Sequence, residues 1–427
     1  MNKPAEPGLI QPLRKLGPGL ITGAADDDPS GIATYSQAGA QFGFNLLWTM
    51  VLTFPLMAAV QMISARIGRV TGKGLAYNMC RVMPRRVVAG LLALLFLANV
   101  INIGADLAAM GEAAALVWGA GGAWAGHGFT IFFALLSLAL QMFIPYRRYA
   151  RILTVLTFSL LAYVAVLSLL KLDWSQIGLG LIGIDAALTP AAATVIVAVF
   201  GTTISPYLFF WQSAQEVEEV EHDDDQHPLT EAPQEGREAL KDIRLDTIAG
   251  MAASNLIAIA IMIATAATLH QAGVTHIETA AQAAQALRPV AGDFAFALFA
   301  LGIIGTGLLA VPVLAGSVAY AVGETQGWRT GLDNMPAQAR GFYAVIALAV
   351  LLGIGIDFSP LDPFRALYWS AVLNGLIAVP MMAAMMVVAR NACMGAFPPG
   401  RLLTALGWLS TAVMAAAAGA MIWFSFL

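Results

Sequence analysis

The chain has 427 residues, of which 59% are hydrophobic and 11% charged, with a formal net charge of −4 at pH 7 and a mean hydropathy of +0.75. A soluble globular domain carries about 25% charged residues, so the composition excludes one. The absence of a basic cluster interleaved with aromatics excludes a nucleic-acid binder.

The apolar runs are about 20 residues long, the length of a membrane-crossing helix rather than the ten-residue alternation of an outer-membrane barrel. An all-α polytopic membrane protein follows. Eleven spans are predicted near 18–41, 45–67, 87–111, 128–146, 150–170, 189–215, 246–269, 291–322, 340–356, 363–389 and 402–426. No cleavable leader is expected, because the first apolar segment follows a polar start and is interrupted by acids. Cys80 and Cys393 are far apart and form no CxxC pair, so they read as inert thiols.

The first span contains Asp26-Asp27-Asp28-Pro29-Ser30-Gly31. A charge at mid-membrane depth costs roughly 2.5–3.5 kcal/mol on insertion scales, so such residues face a polar cavity and mark function. Proline removes a backbone donor and glycine tolerates any geometry. The stretch therefore reads as a helix crossing in two halves, which a bilayer tolerates only where the break is buried in protein or lines a cavity.

Alternating sides from a cytoplasmic N-terminus places 19 of the 22 basic residues in the cytoplasm and only Lys171, Arg288 and Arg365 outside. This bias sets orientation. It predicts a multi-pass protein of the cell's inner (plasma) membrane with its C-terminus outside. Trp118, Trp124, Trp174, Trp328, Trp408 and Trp423 near span ends read as interfacial anchors. His127, His270 and His276 carry no expected role. Glu216 to Arg244, with eleven acidic residues and two histidines, reads as a solvated, mobile cytoplasmic loop. It lacks the DxDxDG spacing of a calcium loop. The eighth span, rich in Gly and Pro around Pro312, is expected to tilt or kink.

The sixth span reads Gly201-Thr202-Thr203-Ile204-Ser205-Pro206-Tyr207, a second break of small, polar and proline residues. Paired interrupted segments at matching positions of two halves point to a transporter site between inverted repeats. Unwinding frees carbonyls, and a carboxylate with carbonyl and hydroxyl oxygens suits a hard cation. The donors on offer are Asp28, Asp27 beside it, the Thr202 and Ser205 hydroxyls, and freed carbonyls around Gly31 and Thr202. Neither break contains Met, Cys or His, so no soft ligand is available.

These residues resemble the Nramp family of proton-coupled divalent-metal transporters. The likeness rests on Gly17-Pro18-Gly19, Asp28-Pro29, Gly39-Ala40-Gln41-Phe42-Gly43-Phe44, Leu46-Leu47-Trp48, Ala65-Arg66-Ile67-Gly68-Arg69-Val70-Thr71-Gly72, Ala105-Asp106-Leu107-Ala108 and Asp362-Pro363-Phe364-Arg365-Ala366-Leu367. It implies a LeuT-like fold of two inverted five-helix repeats, about 17–171 and 188–389, with an extra helix at about 401–427. Within the family's Asp-Pro-Gly-Asn signature, Gly31 replaces the Asn ligand. Within Met-Pro-His, Ser205 replaces the Met and Tyr207 the proton-linked His. A tenth-span Gln corresponds to Ala371, with Asn374 the nearest amide. Asp106 matches the family's proton-pathway Asp, while Asn99 and Ala109 stand at two other acidic positions. These losses resemble the Nramp-related magnesium transporters more than the manganese and iron branch. They imply a hard ion, Mg²⁺ before Mn²⁺, with weak or no proton coupling and no cofactor.

The expected ion site thus comprises Asp28, Gly31, Thr202, Ser205 and Asp27, with Asp106, Asn102, Tyr207 and Asn374 around it or on a proton path. The alternative for Asp106 is a polar contact with Asn102 or Asn99. Ser205 and Thr202 alternatively cap the broken helix. Competing functions are a proton-coupled Mn²⁺/Fe²⁺ transporter, a sodium- or proton-coupled symporter of a small organic solute, and a metal sensor signalling through the acidic loop. The three acids would repel an anionic solute. No enzyme motif, neither HExxH nor a phosphate loop, is present.

Overall fold

A computed structural model describes residues 17–119, 123–145, 157–183, 189–222, 226–359 and 362–426. Every regular element among them is helical. In chain order the principal helices are α1 (Pro18–Asp26), α2 (Pro29–Phe42), α3 (Trp48–Thr71), α4 (Leu75–Val82), α5 (Arg85–Trp118), α6 (Ala123–Phe143), α7 (Leu161–Leu169), α8 (Trp174–Ile182), α9 (Pro190–Thr203), α10 (Pro206–His222), α11 (Gly236–Thr265), α12 (Ala295–Gln326), α13 (Arg340–Asp357), α14 (Pro363–Ala389) and α15 (Arg401–Ser425).

Both expected breaks are present. The chain leaves the helix at Asp27 (φ −83°, ψ 48°) and Asp28 (φ −68°, ψ 170°), then restarts with Pro29 at the first helical position. Proline suits that position, where its missing N–H would have had no partner. The sixth span breaks in the same way: Ile204 (φ −119°, ψ 52°) ends α9 and Pro206 opens α10. Nine stretches among the described residues are long and apolar enough to cross a membrane. The two remaining expected spans are the first, split into halves of 9 and 14 residues, and the fifth, whose residues 150–156 lie outside those described.

The broken helices form the centre. α1 and α2 lie against α11, α9 against α14 and α2, and α5 against α12 and α14. Lipid tails are as apolar as leucine, so close packing and polar contacts hold such helices together. The α1–α11 crossing shows this: Gly23 and Gly250 sit backbone to backbone, with no room for a Cβ on either. Trp118, Trp174 and Trp423 are 72%, 70% and 66% exposed. The side chain of Trp124 lies outside the described residues.

The eighth span runs without interruption through Pro312 as α12. One expectation changes. The acidic stretch is not a solvated linker along its length: α10 runs on to His222 and α11 begins at Gly236. Glu216 and Glu218 are buried. The reason is local pairing. Glu218 Oε1 accepts from the Tyr320 hydroxyl at 2.5 Å and the Leu332 N–H at 3.1 Å, and Glu216 accepts from Gln212 Nε2 at 3.2 Å. Acids near a helix end can be drawn into the protein when fixed donors meet them. Asp223 to Asp225 lie outside the described residues.

Candidate functional site

Asp28 is the N-cap of α2, and its two carboxylate oxygens do different things. Oδ1 accepts from the Gly31 N–H and the Ser30 hydroxyl, both at 2.7 Å. This is ordinary capping, which satisfies a donor that the helix start leaves unpaired. Oδ2 points across the break. There it meets Asn102 Nδ2 of α5 at 3.2 Å and the Tyr207 hydroxyl of α10 at 3.3 Å. The first oxygen locks the side chain, while the second is presented to the space between three elements through longer, weaker bonds.

Partners extend outward from there. The Ser370 hydroxyl of α14 stands 2.7 Å from Asn102 Oδ1 and orients that amide. The Tyr207 hydroxyl also reaches the Ala25 carbonyl, at 3.3 Å, so it spans the break in the first helix. Gly31 brings the two breaks together: a Cβ built there would lie 3.2 Å from Thr202 Oγ1 and 3.4 Å from the Asp26 carbonyl oxygen. Any side chain at 31 would occupy that gap, so glycine leaves room there.

Several buried polar atoms around this point have no hydrogen-bond partner: Thr202 Oγ1, both carboxylate oxygens of Asp106, and both amide atoms of Asn374. Asp106 lies one turn beyond Asn102 on α5, and Asn374 one turn beyond Ser370 on α14. Each unpaired buried group costs about 1–3 kcal/mol. Buried groups of this kind call for a partner such as water or an ion. The proposed contact of Asp106 with Asn102 or Asn99 is absent. Asn102 turns to Asp28, and Asn99 donates to the Leu314 carbonyl and Ser317.

The neighbouring acids point elsewhere. The Ser254 hydroxyl of α11 stands 2.7 Å from Asp26 Oδ2 and 3.0 Å from Asp27 Oδ1. Asp27 is therefore turned toward α11, while Asp28 faces α5 and α10. Accordingly, no group of three or more His, Cys, Asp or Glu side chains converges on one point among the described residues. Ser205 also departs from the expectation of a ligand. Its hydroxyl caps the end of α9, 2.7 Å from the Gly201 carbonyl and 2.9 Å from the Thr202 carbonyl. The Thr202 carbonyl is thus engaged, while the Thr202 hydroxyl is not.

Asp26, Asp27, Asp28 and Asp106 are at most 3% exposed. None is in an ion pair with Lys, Arg or His among the described residues. Buried carboxylates are normally paired with a cation or a metal. The sequence reading missed Ser254 and Ser370. The polar pair Ser254-Asn255 in the middle of an apolar span was the available signal for the first; Ser370 had none.

Of the histidines, His127 Nδ1 meets Asp357 Oδ2 at 2.7 Å. His270 Nδ1 lies 2.8 Å from the Ala40 carbonyl. Both join neighbouring helices away from the break.

Comparison with known proteins fits this geometry. A divalent metal cation transporter, MntH, of Deinococcus radiodurans is 27% identical over 432 residues, spanning 97% of this chain and 91% of that protein. The MntH of Yersinia pestis is 30% identical over 322 residues, 72% of this chain and 74% of that protein. In three dimensions the Eremococcus coleocola manganese transporter superposes with a TM-score of 0.73 at 18% identity, covering 98% of this chain and 88% of that one. Mhp1, a nucleobase-cation-symport-1 family transporter in a closed conformation, superposes with a TM-score of 0.58 at 13% identity over 96% of this chain and 92% of its own. The same LeuT-like helical fold therefore serves quite different cargoes, and the fold alone does not choose one. Residues 19–424 match the description of the natural resistance-associated macrophage protein-like proteins, and the chain belongs to that family, Nramp.

Proposed function

We propose that this protein carries a divalent metal cation across a membrane by alternating access, with Mg²⁺ the preferred ion and Mn²⁺ second. The observation that carries the reading is Asp28: a buried carboxylate at the meeting point of two broken helices, with one oxygen locked and the other turned to the gap. The ion would take Asp28 Oδ2, the Thr202 hydroxyl and backbone oxygen near Gly31. Asn102, Tyr207 and Asn374 would hold its remaining water, and Asp27 would raise the local negative charge.

The preference for a hard ion rests on ligand chemistry. Every group at the gap is oxygen or amide; Ser205 and Tyr207 stand beside Pro206, with no thioether or imidazole in either break. Soft ligands favour the later transition metals, while oxygen and water suit Mg²⁺. Mg²⁺ dehydrates reluctantly and keeps several waters, so one carboxylate with neutral oxygens suits it better than a cage of acids. Relatives named for manganese or for divalent metal cations keep Mn²⁺ as the second choice. The sequence places Tyr207 where a proton-linked imidazole would be expected, which supports weak or absent proton coupling. The arginine and lysine distribution supports a cytoplasmic N-terminus and an external C-terminus in the cell's inner membrane.

The test is uptake into proteoliposomes of Mg²⁺, Mn²⁺ and Ca²⁺ at matched concentrations. Mg²⁺ uptake that Mn²⁺ inhibits only weakly is expected. Uptake of Mn²⁺ with none of Mg²⁺ overturns the ion assignment but leaves metal transport standing. Absence of any metal uptake overturns the whole reading.

A further inference from the structure

A cavity of about 550 Å³ lies between α3, α11 and α15 and shares no residue with the ion site. Its lining divides in two. At one end stand Arg66, Arg244 and Arg401, one from each helix; the rest is apolar, including Phe54, Met62 and Leu406.

The arginines share one end because α3 and α15 run antiparallel. Arg66 Nη1 donates to the Pro398 carbonyl at 2.8 Å, and ten residues earlier on α3 the Ser410 hydroxyl lies 3.3 Å from the Leu56 carbonyl. α11 contributes Leu240, Ile243, Arg244 and Ile248, a spacing that puts them on one helix face. The cavity opens outward: Pro55, Arg244 and Arg401 are exposed and Leu402 is 75% exposed. None of the three arginines has an acidic partner among the described residues; the ion pairs formed by arginine engage Arg69 and Arg365. Asp246, two residues from Arg244, is taken up by the Gly19 N–H at 2.5 Å. Three uncompensated guanidinium groups thus crown an apolar slot.

The dimensions fit one kind of occupant. From Arg66 to Phe54 is 12 residues of helix, about 18 Å at 1.5 Å per residue. Half of a bilayer's hydrocarbon core is about 15 Å. We propose that this slot is a binding site for an anionic phospholipid, its phosphate held by Arg66, Arg244 and Arg401 and one acyl chain laid along α3 toward Phe54. The charge selects the headgroup and the length selects a lipid rather than a soluble anion. Basic pockets between spanning helices on the cytoplasmic side take anionic headgroups in this way, and the basic bias of the chain puts this end there. By joining α3 and α15 to α11, against which α1 packs, a bound lipid bridges the outer bundle and a helix in contact with the broken segment.

The experiment is native mass spectrometry of the full chain with phosphatidylglycerol, phosphatidylcholine or inorganic phosphate added. The wild type should retain phosphatidylglycerol in preference to phosphatidylcholine. The exposed double variant Arg244→Gln/Arg401→Gln should bind it about 25-fold more weakly, roughly fivefold for each arginine removed. Leu403→Asp, which charges the apolar slot and leaves the arginines in place, should also lose it. Arg340→Gln, outside the cavity, should bind as the wild type does. Equal retention of the neutral lipid, undiminished binding by the double variant, or displacement of the lipid by equimolar inorganic phosphate would each overturn the assignment. Metal uptake by the double variant separates this outcome from the transport reading, because the cavity shares no residue with the ion site.

Discussion

Replacing Asp28 by Asn separates folding from ion binding. Asn caps helices about as well as Asp, and its Oδ1 can still accept from Gly31 N–H and Ser30, as Asp28 Oδ1 does at 2.7 Å. The fold should therefore lose less than about 1 kcal/mol. At the other oxygen the change is severe, since an N–H₂ donor replaces the acceptor that faces the gap between α5 and α10. A divalent ion 2.1 Å from a full carboxylate charge gains about 16 kcal/mol at an effective dielectric of 20. Desolvation of both partners takes back most of this. If about a fifth survives, roughly 3 kcal/mol remains, which is about 200-fold in affinity. The assay is metal uptake in proteoliposomes alongside the thermal midpoint of the purified variant. Transport within threefold of wild type at an unchanged midpoint would show that Asp28 does not hold the ion.

Three further outcomes follow from other parts of the molecule. Metal uptake into vesicles should leave the lumenal pH unchanged; acidification in proportion to metal entry would show that Asp106 or Tyr207 supports proton movement. Gly23→Val should destabilise the protein by about 1–3 kcal/mol, because Gly250 leaves no room for a Cβ at that crossing; a thermal midpoint equal to wild type would show that α1 does not sit as described. Glu218→Ala should cost about 1–3 kcal/mol by removing the buried acceptor of the Tyr320 hydroxyl, with Glu218→Gln milder, as read by chemical denaturation in detergent. Equal midpoints for all three proteins would return the acidic stretch to the role of a solvated linker.

The sequence carries much of the site on its surface because membrane chemistry makes polar residues conspicuous. Three acids beside a proline inside an apolar run cannot be ordinary lipid-facing residues. A second proline break at Ser205-Pro206 then predicts a partner. What it cannot carry is direction. Asp26, Asp27 and Asp28 are adjacent letters, yet two turn to Ser254 and only the third faces Asn102 and Tyr207. Ser205 and Thr202 are likewise equal candidates in the sequence, but one hydroxyl caps α9 and the other has no partner. The acidic stretch from Glu216 fails for the same reason. Composition reports charge, while burial depends on the donors Tyr320 and Leu332, more than a hundred residues away.

By itself the sequence determined that the chain crosses a membrane as helices, that its first and sixth spans break, and that an acid lies at the first break. These follow from the cost of charge and unpaired backbone in hydrocarbon, which acts residue by residue. Only the tertiary structure decided which oxygen of Asp28 faces the gap, which neighbouring acids turn away, and that Arg66, Arg244 and Arg401 gather at one end of an apolar slot. Those outcomes depend on where distant helices cross, and no local pattern encodes that.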